Sequence, residues 1–256
     1  MLANERHGYM LDVLNKRGTL RVTGVAQALN VSEMTIRRDI DQLAEQGLLL
    51  KVHGGATIKP GSAAITEPPF RLKSQREQAL KEAIGIKAAQ LVQPAASLAL
   101  MGGSTVHALA KNLVKIPRIT VVTNSLPICD LFHREGRADQ TVILAGGLRT
   151  PTDSFVGEIA VSVFAKLNVD LAFMGTHGMD VRGGFTSPNI LEAETNRAVR
   201  AHAKRVAVLA DHTKWGDVGF ATFAQLQDAD ILVTDDQLDP AALEQLRSLI
   251  QHVEIA

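Results

Sequence analysis

Two stretches of this 256-residue sequence gather side chains equipped for anion chemistry. VSEMTIRRDI, residues 31–40, sets Arg37 and Arg38 behind Ser32 and Thr35. Guanidinium groups pair with phosphates and with the acceptor edge of guanine, and hydroxyls bond phosphate oxygens. ALMGGSTVHALA, residues 99–110, places Gly102, Gly103, Ser104 and Thr105 between an apolar run and a helical pattern. Backbone amides unobstructed by side chains, with a helix N-terminus behind them, make a cradle for an anion. The turn lacks the GxxxxGK spacing of a triphosphate loop, and GxGxxG is absent, which disfavours nucleotide binding.

Each stretch needs elements to hold it. Residues 22–47 divide into two helical patterns about a turn. Val25, Ala26 and Leu29 give the first an apolar face, and Asn30, tolerant of left-handed backbone, stands at the turn. Ser32 is placed to cap the second helix, with Glu33 in its first turn. Ile36, Ile40 and Leu43 recur at i, i+4 and i+7 and fix a buried stripe. That stripe turns Ser32, Glu33, Thr35, Arg37 and Arg38 to other faces, where a recognition helix meets bases and phosphates. Asp39 and Asp41 temper the charge and are expected to orient the arginines. GLLLKVHGGATI (47–58) then reads as two short strands about His53-Gly54-Gly55. This is a wing whose Lys51 and His53 reach neighbouring phosphate or the minor groove. Upstream, residues 5–18, with Met10, Val13 and Leu14 apolar, complete a trihelical core. A protein-interaction helix with solvated charges would leave the cap, the turn and the wing without a common purpose.

The organisation follows. Residues 1–59 form a winged helix-turn-helix domain, and 60–70, within the proline-rich IKPGSAAITEPPF, form a linker. Residues 71–256 form an α/β effector-sensing and oligomerisation domain. It opens on a helix over 71–92 with Leu80, Ile84, Ala88 and Leu91 apolar and its charges opposite. Strands are expected at 97–101, 119–123, 141–145, 170–175, 205–210 and 230–235, in a largely parallel sheet covered on both faces. Ligands lie beyond the carboxyl ends of such strands. There the sequence puts Thr123, Asn124, Ser125, Gly146, Gly147, Gly175 and Gly178, joined by Thr186, Asn189, Glu192, Asp211 and Lys214. A lysine, an anion turn and neutral polar groups suit a phosphorylated sugar or polyol.

The formal net charge is zero, so DNA contact must come from a local patch; residues 1–59 carry eight Lys/Arg against six Asp/Glu. One cysteine, Cys129, excludes an internal disulfide framework and suits a reducing cytoplasm. No apolar run is long enough to span a bilayer and no secretory leader is visible, so a cytoplasmic protein is expected. Glu192, Glu194 and Asp211 are bases by type, yet none is spaced to pair with an acid. HExxH is also absent, so no catalytic residue, metal or cofactor is expected. The alternative is a sugar-phosphate isomerase-like enzyme carrying a DNA-binding arm.

VSEMTIRRDIDQLAEQGLLLKVHGGA (31–56) resembles the signature of the DeoR-type, GlpR-like bacterial transcriptional regulators. The resemblance runs over essentially the whole chain, through GGST, VVTNS, LAGG, GFTSPNILEAE and LADHTKWG. It implies a TIRRD helix in the major groove of double-stranded operator DNA, with the HGGA turn as wing. It further implies a C-terminal domain similar to ribose-5-phosphate isomerases that senses a phosphorylated sugar, and repression of sugar or polyol genes relieved by ligand. Operators with paired half-sites call for a homo-oligomer. Two positions depart from the family pattern. Met101 stands where many members carry an aspartate, and Asn196 where many carry a lysine.

Overall fold

Ile36, Ile40 and Leu43 are buried, and they seat their helix, α3 (Glu33–Glu45), against α1 (Ala3–Arg17) and α2 (Val22–Leu29). The computed structural model describes residues 2–57, 70–75 and 77–256. Met10, Leu11 and Leu14 of α1 and Val22, Val25 and Ala26 of α2 complete this first core. Asn30 ends α2 in the left-handed conformation, at φ 50°, as the turn requires. The wing is β2 (Leu50–Val52) paired antiparallel with β3 (Gly55–Thr57). A third strand, β1 (Thr19–Arg21), pairs with the other edge of β3 and was not expected from the sequence.

The helix expected over 71–92 is two helices, α4 (Phe70–Gln75) and α5 (Gln78–Ala89). Glu77 between them has φ 46°, a value no helix interior accepts. Leu72 of α4 packs into the core of the first unit. The two units therefore divide at Met1–Arg76 and Glu77–Ala256, several residues later than position 71. The expected linker, 60–70, lies outside the described residues except for Phe70, which begins α4.

The second unit is built on seven parallel strands. They are β4 (Ser97–Leu100), β5 (Thr120–Thr123), β6 (Thr141–Leu144), β9 (Leu171–Gly175), β12 (Val206–Leu209), β14 (Ile231–Thr234) and β15 (His252–Ile255), in the order β15-β14-β12-β9-β4-β5-β6. Six match the expected runs; β15 was missed. Alternate strand residues face opposite layers, as the two-residue strand period demands. Leu98, Leu100, Leu171, Phe173, Leu209 and Val233 meet α5, α6 (Ser104–Leu113) and α7 (Leu126–Glu135). Ala99, Met101, Ala172, Met174, Val208 and Leu232 meet α8 (Glu158–Phe164), α9 (Ile190–Ala201) and α10 (Pro240–Leu249). Two smaller antiparallel pieces grow from the strand ends. One is the hairpin β7 (Leu148–Arg149) with β8 (Phe155–Val156). The other is a sheet of β10 (Gly178–Asp180), β11 (Gly184–Ser187) and β13 (Ala221–Ala224), on which Phe185 stacks against Phe223.

One close approach sets the spacing of α5 and α6. A Cβ on Gly85 would lie 2.7 Å from the backbone of both Ala108 and Leu109, so only glycine lets the helices touch there. Among the described residues, no helix is long and apolar enough to cross a membrane.

Candidate nucleic-acid interface and effector rim

Ser32 begins α3 as its cap, the Oγ accepting the Thr35 backbone N–H at 3.1 Å, and the Ser32 and Thr35 hydroxyls bond each other at 2.8 Å. Arg37 reaches back one turn to Glu33 at 3.2 Å, both side chains about half exposed. Such a surface pair is weak and yields readily to a phosphate. Lys51 of β2 pairs with Asp41, which ties the wing to α3. Arg38 and His53 are exposed. The seven expected contact residues thus share α3 and the adjoining wing.

Asp39 departs from expectation. It points inward, is 3% exposed, and accepts from Arg6 Nε at 2.6 Å and Arg6 Nη2 at 2.9 Å. His7 Nε2 sits 3.1 Å from the same carboxylate. Asp39 therefore fixes α3 against α1 rather than orienting the arginines beside it. The hydrogen bond that Arg6 donates to Asp39 holds the Arg6 pKa above its ordinary value.

In the second unit the Gly102–Thr105 turn is supported from behind. The Gly102 N–H donates to Asn124 Oδ1 at 2.9 Å, and Asn124 Nδ2 donates to the Phe155 carbonyl at 2.9 Å. These bonds join the ends of β4 and β5 to the β7–β8 hairpin. A Cβ on Gly102 would fall 1.9 Å from Ser154 Oγ, a buried hydroxyl with no hydrogen-bond partner among the described residues. Gly103 precedes α6, Ser104 opens it half-buried, and Thr105 is buried.

Ser125 caps α7, and Asn189 caps α9 by accepting from Leu191 and Glu192 N–H at 2.9 and 3.3 Å. Ser187 donates to Glu192 Oε2 at 2.5 Å. Thr186 is buried, donating to the Gly178 carbonyl at 3.1 Å and accepting from Gly219 N–H at 2.8 Å. Asn124, Ser125, Thr186 and Asn189 thus hold loops in place. Gly102, Gly103, Ser104, Gly146, Gly147, Glu192 and Lys214 stay partly exposed.

Sequence reasoning missed Lys81. It was assigned to the solvent face of its helix, yet it is 6% exposed in the first turn of α5. Its position one residue after Leu80 looks like that of any surface lysine. Lys81 lies close enough to Asp211, after β12, for the two charges to attract. Asp211 is 1% exposed; its Oδ1 accepts the Thr213 N–H at 3.1 Å, and its Oδ2 has no hydrogen-bond partner among the described residues. Burial pushes its pKa up, but attraction to Lys214, the Thr213 hydroxyl and Lys81 prevail and hold it below the usual carboxylate range. Met101 is buried among Val122, Ala145 and Met174, and Asn196 is buried on α9, so neither places a charge at the strand ends. No group of side chains suited to a metal ion occurs among the described residues.

His107, one turn into α6, carries a pH dependence. Burial, then Lys111 and Arg134, lower its pKa from 6.5 to about 4. The unfolded chain therefore takes up a proton below pH 6.5 that the folded chain refuses until about pH 4, so stability falls across that window. Urea unfolding at pH 4.5 is expected to show a loss of roughly 2 kcal/mol relative to pH 7, absent in His107→Gln.

Two family descriptions match the chain: a DeoR-like helix-turn-helix domain over residues 6–60 and a DeoR C terminal sensor domain over 76–236. The lactose phosphotransferase system repressor of Staphylococcus aureus is 32% identical over 255 residues, covering 99% of this chain and all of that protein. The HTH-type transcriptional regulator GolR of Listeria innocua is 32% identical over 258 residues, covering both proteins fully. Among solved structures, ribose 5-phosphate isomerase A from Methanocaldococcus jannaschii aligns over 54% of each chain, at 16% identity and TM-score 0.40. At that level the likeness assigns nothing.

Proposed function

This chain belongs to the DeoR family of helix-turn-helix transcriptional regulators, and on that premise we propose that a phosphorylated sugar or polyol controls its grip on operator DNA. The genes it represses serve sugar or polyol metabolism, in keeping with its lactose phosphotransferase relative. The observation that carries the DNA contact is the orientation of α3. Its apolar stripe is buried while Arg37 and Arg38 face outward beside a wing tied to it through Lys51 and Asp41. The effector's anionic group rests on the Gly102–Thr105 turn, near the start of α6, with Lys214 supplying charge. A homo-oligomer presents two recognition helices to paired half-sites.

The test uses the full chain and a duplex selected by it from a random library. Arg38→Ala is expected to weaken binding to selected and random duplexes alike and to reduce the salt slope by about one. An unchanged salt slope would remove Arg38 from the phosphate contacts. On the effector side, thermal-shift screening of phosphorylated sugars against their unphosphorylated parents should pick out the former, since a ligand of the native state raises stability. Ser104→Ala with Thr105→Ala should bind DNA normally and lose both the shift and the ligand-induced release. Retention of both responses in that double variant would contradict the anion turn.

A further inference from the structure

We infer that Met34 reads the methyl group of a thymine in the major groove. This rests on α3 being the DNA-contacting helix, and it adds a base-specific residue to that surface. Met34 is 59% exposed, in the first turn of α3. At the helical repeat it lies opposite the Ile36–Ile40–Leu43 stripe, with Arg38 one turn further on the same face. It is not among the hydrophobic residues that pack on the first unit's core, as Val31 and Ala44 on either side of it are.

Ser32 and Thr35 bond each other, and Glu33 holds Arg37. Arg38 supplies a cation and Met34 the apolar surface at the front of that turn. On the major-groove edge of DNA, the apolar feature that distinguishes one base from the others is the thymine C5 methyl. An unbranched thioether adapts to such a contact without desolvating a polar group.

The full chain first selects its preferred duplex from a random-sequence library. Each thymine of the selected half-site is then replaced in turn by deoxyuridine, which lacks only the methyl. At one position the replacement should weaken wild-type binding about fourfold, the effect of exposing one buried methyl. Met34→Ala should bind the thymine and deoxyuridine duplexes equally, within about twofold, while Met34→Leu should keep the discrimination. The inference is overturned if no deoxyuridine affects the wild type, or if Met34→Ala discriminates as the wild type does. Arg38→Ala separates the two levels. If it weakens binding while Met34→Ala still discriminates, only the methionine contact falls. If neither variant alters binding, α3 does not lie on DNA and both readings fall.

Discussion

Replacing Asp39 by alanine is expected to cost the first unit about 3 kcal/mol, because Arg6 and His7 both lose the buried carboxylate they share. Arg6 is 12% exposed and Asp39 4% by side chain, so the cation cannot fully recover its hydration by a rotamer change. The effect should exceed that of breaking the exposed Arg37–Glu33 pair, which contributes at most about 1 kcal/mol. In full-length protein, thermal unfolding should show an earlier transition, and affinity for the selected duplex should drop although no DNA-facing side chain has changed. The double variant Arg6→Met with Asp39→Leu separates charge from position. It should recover most of the stability, since a buried ion pair replaced by packed apolar groups is commonly neutral or better. A single variant as stable as wild type would mean that α1 and α3 do not depend on this contact.

Gly85→Ala is the corresponding lesion in the second unit. The added methyl meets backbone atoms at 2.7 Å, which no rotamer can relieve, so α5 must move away from α6. Overpacking of this kind costs about 1–3 kcal/mol. The functional cost should be disproportionate, because α5 carries Lys81 and α6 begins at the turn proposed to hold the anion. Thermal midpoints with and without the phosphorylated sugar found by screening provide the measurement. The expected result is a lower midpoint and a smaller ligand shift. A lowered midpoint with an undiminished shift would show that the α5–α6 spacing matters only to stability.

The contrast between these two sites marks what the sequence made legible. Ser32, Asn30 and the Ile36–Ile40–Leu43 stripe obey local rules of capping, turn conformation and helical period, and each behaves as its type predicts. The six apolar strands were equally readable, being short runs of β-formers between glycine-rich turns. Asp39, Lys81 and Leu72 were not. Their surroundings come from far along the chain: Arg6 beside Asp39, Asp211 near Lys81, and the core of the first unit around a residue placed in the second. β15 escaped because His252 and Glu254 alternate with its apolar residues on an edge strand. At the rim, residue type alone could not separate Asn124 and Asn189, which hold loops, from Ser104, which opens α6 half-buried.

The order of strands in the large sheet has a consequence for how the chain acquires its structure. Leu98 of β4 must find Leu171 of β9 before the centre of that sheet exists, a separation of 73 residues. In the first unit, the pairing of β1 with β3 joins Thr19 to Thr57, 38 residues apart, and the rest of its core is helical. Closing longer loops before any contact rewards them slows folding. The N-terminal unit is therefore expected to fold ahead of the C-terminal one, and refolding followed by ligand response should lag refolding followed by duplex binding.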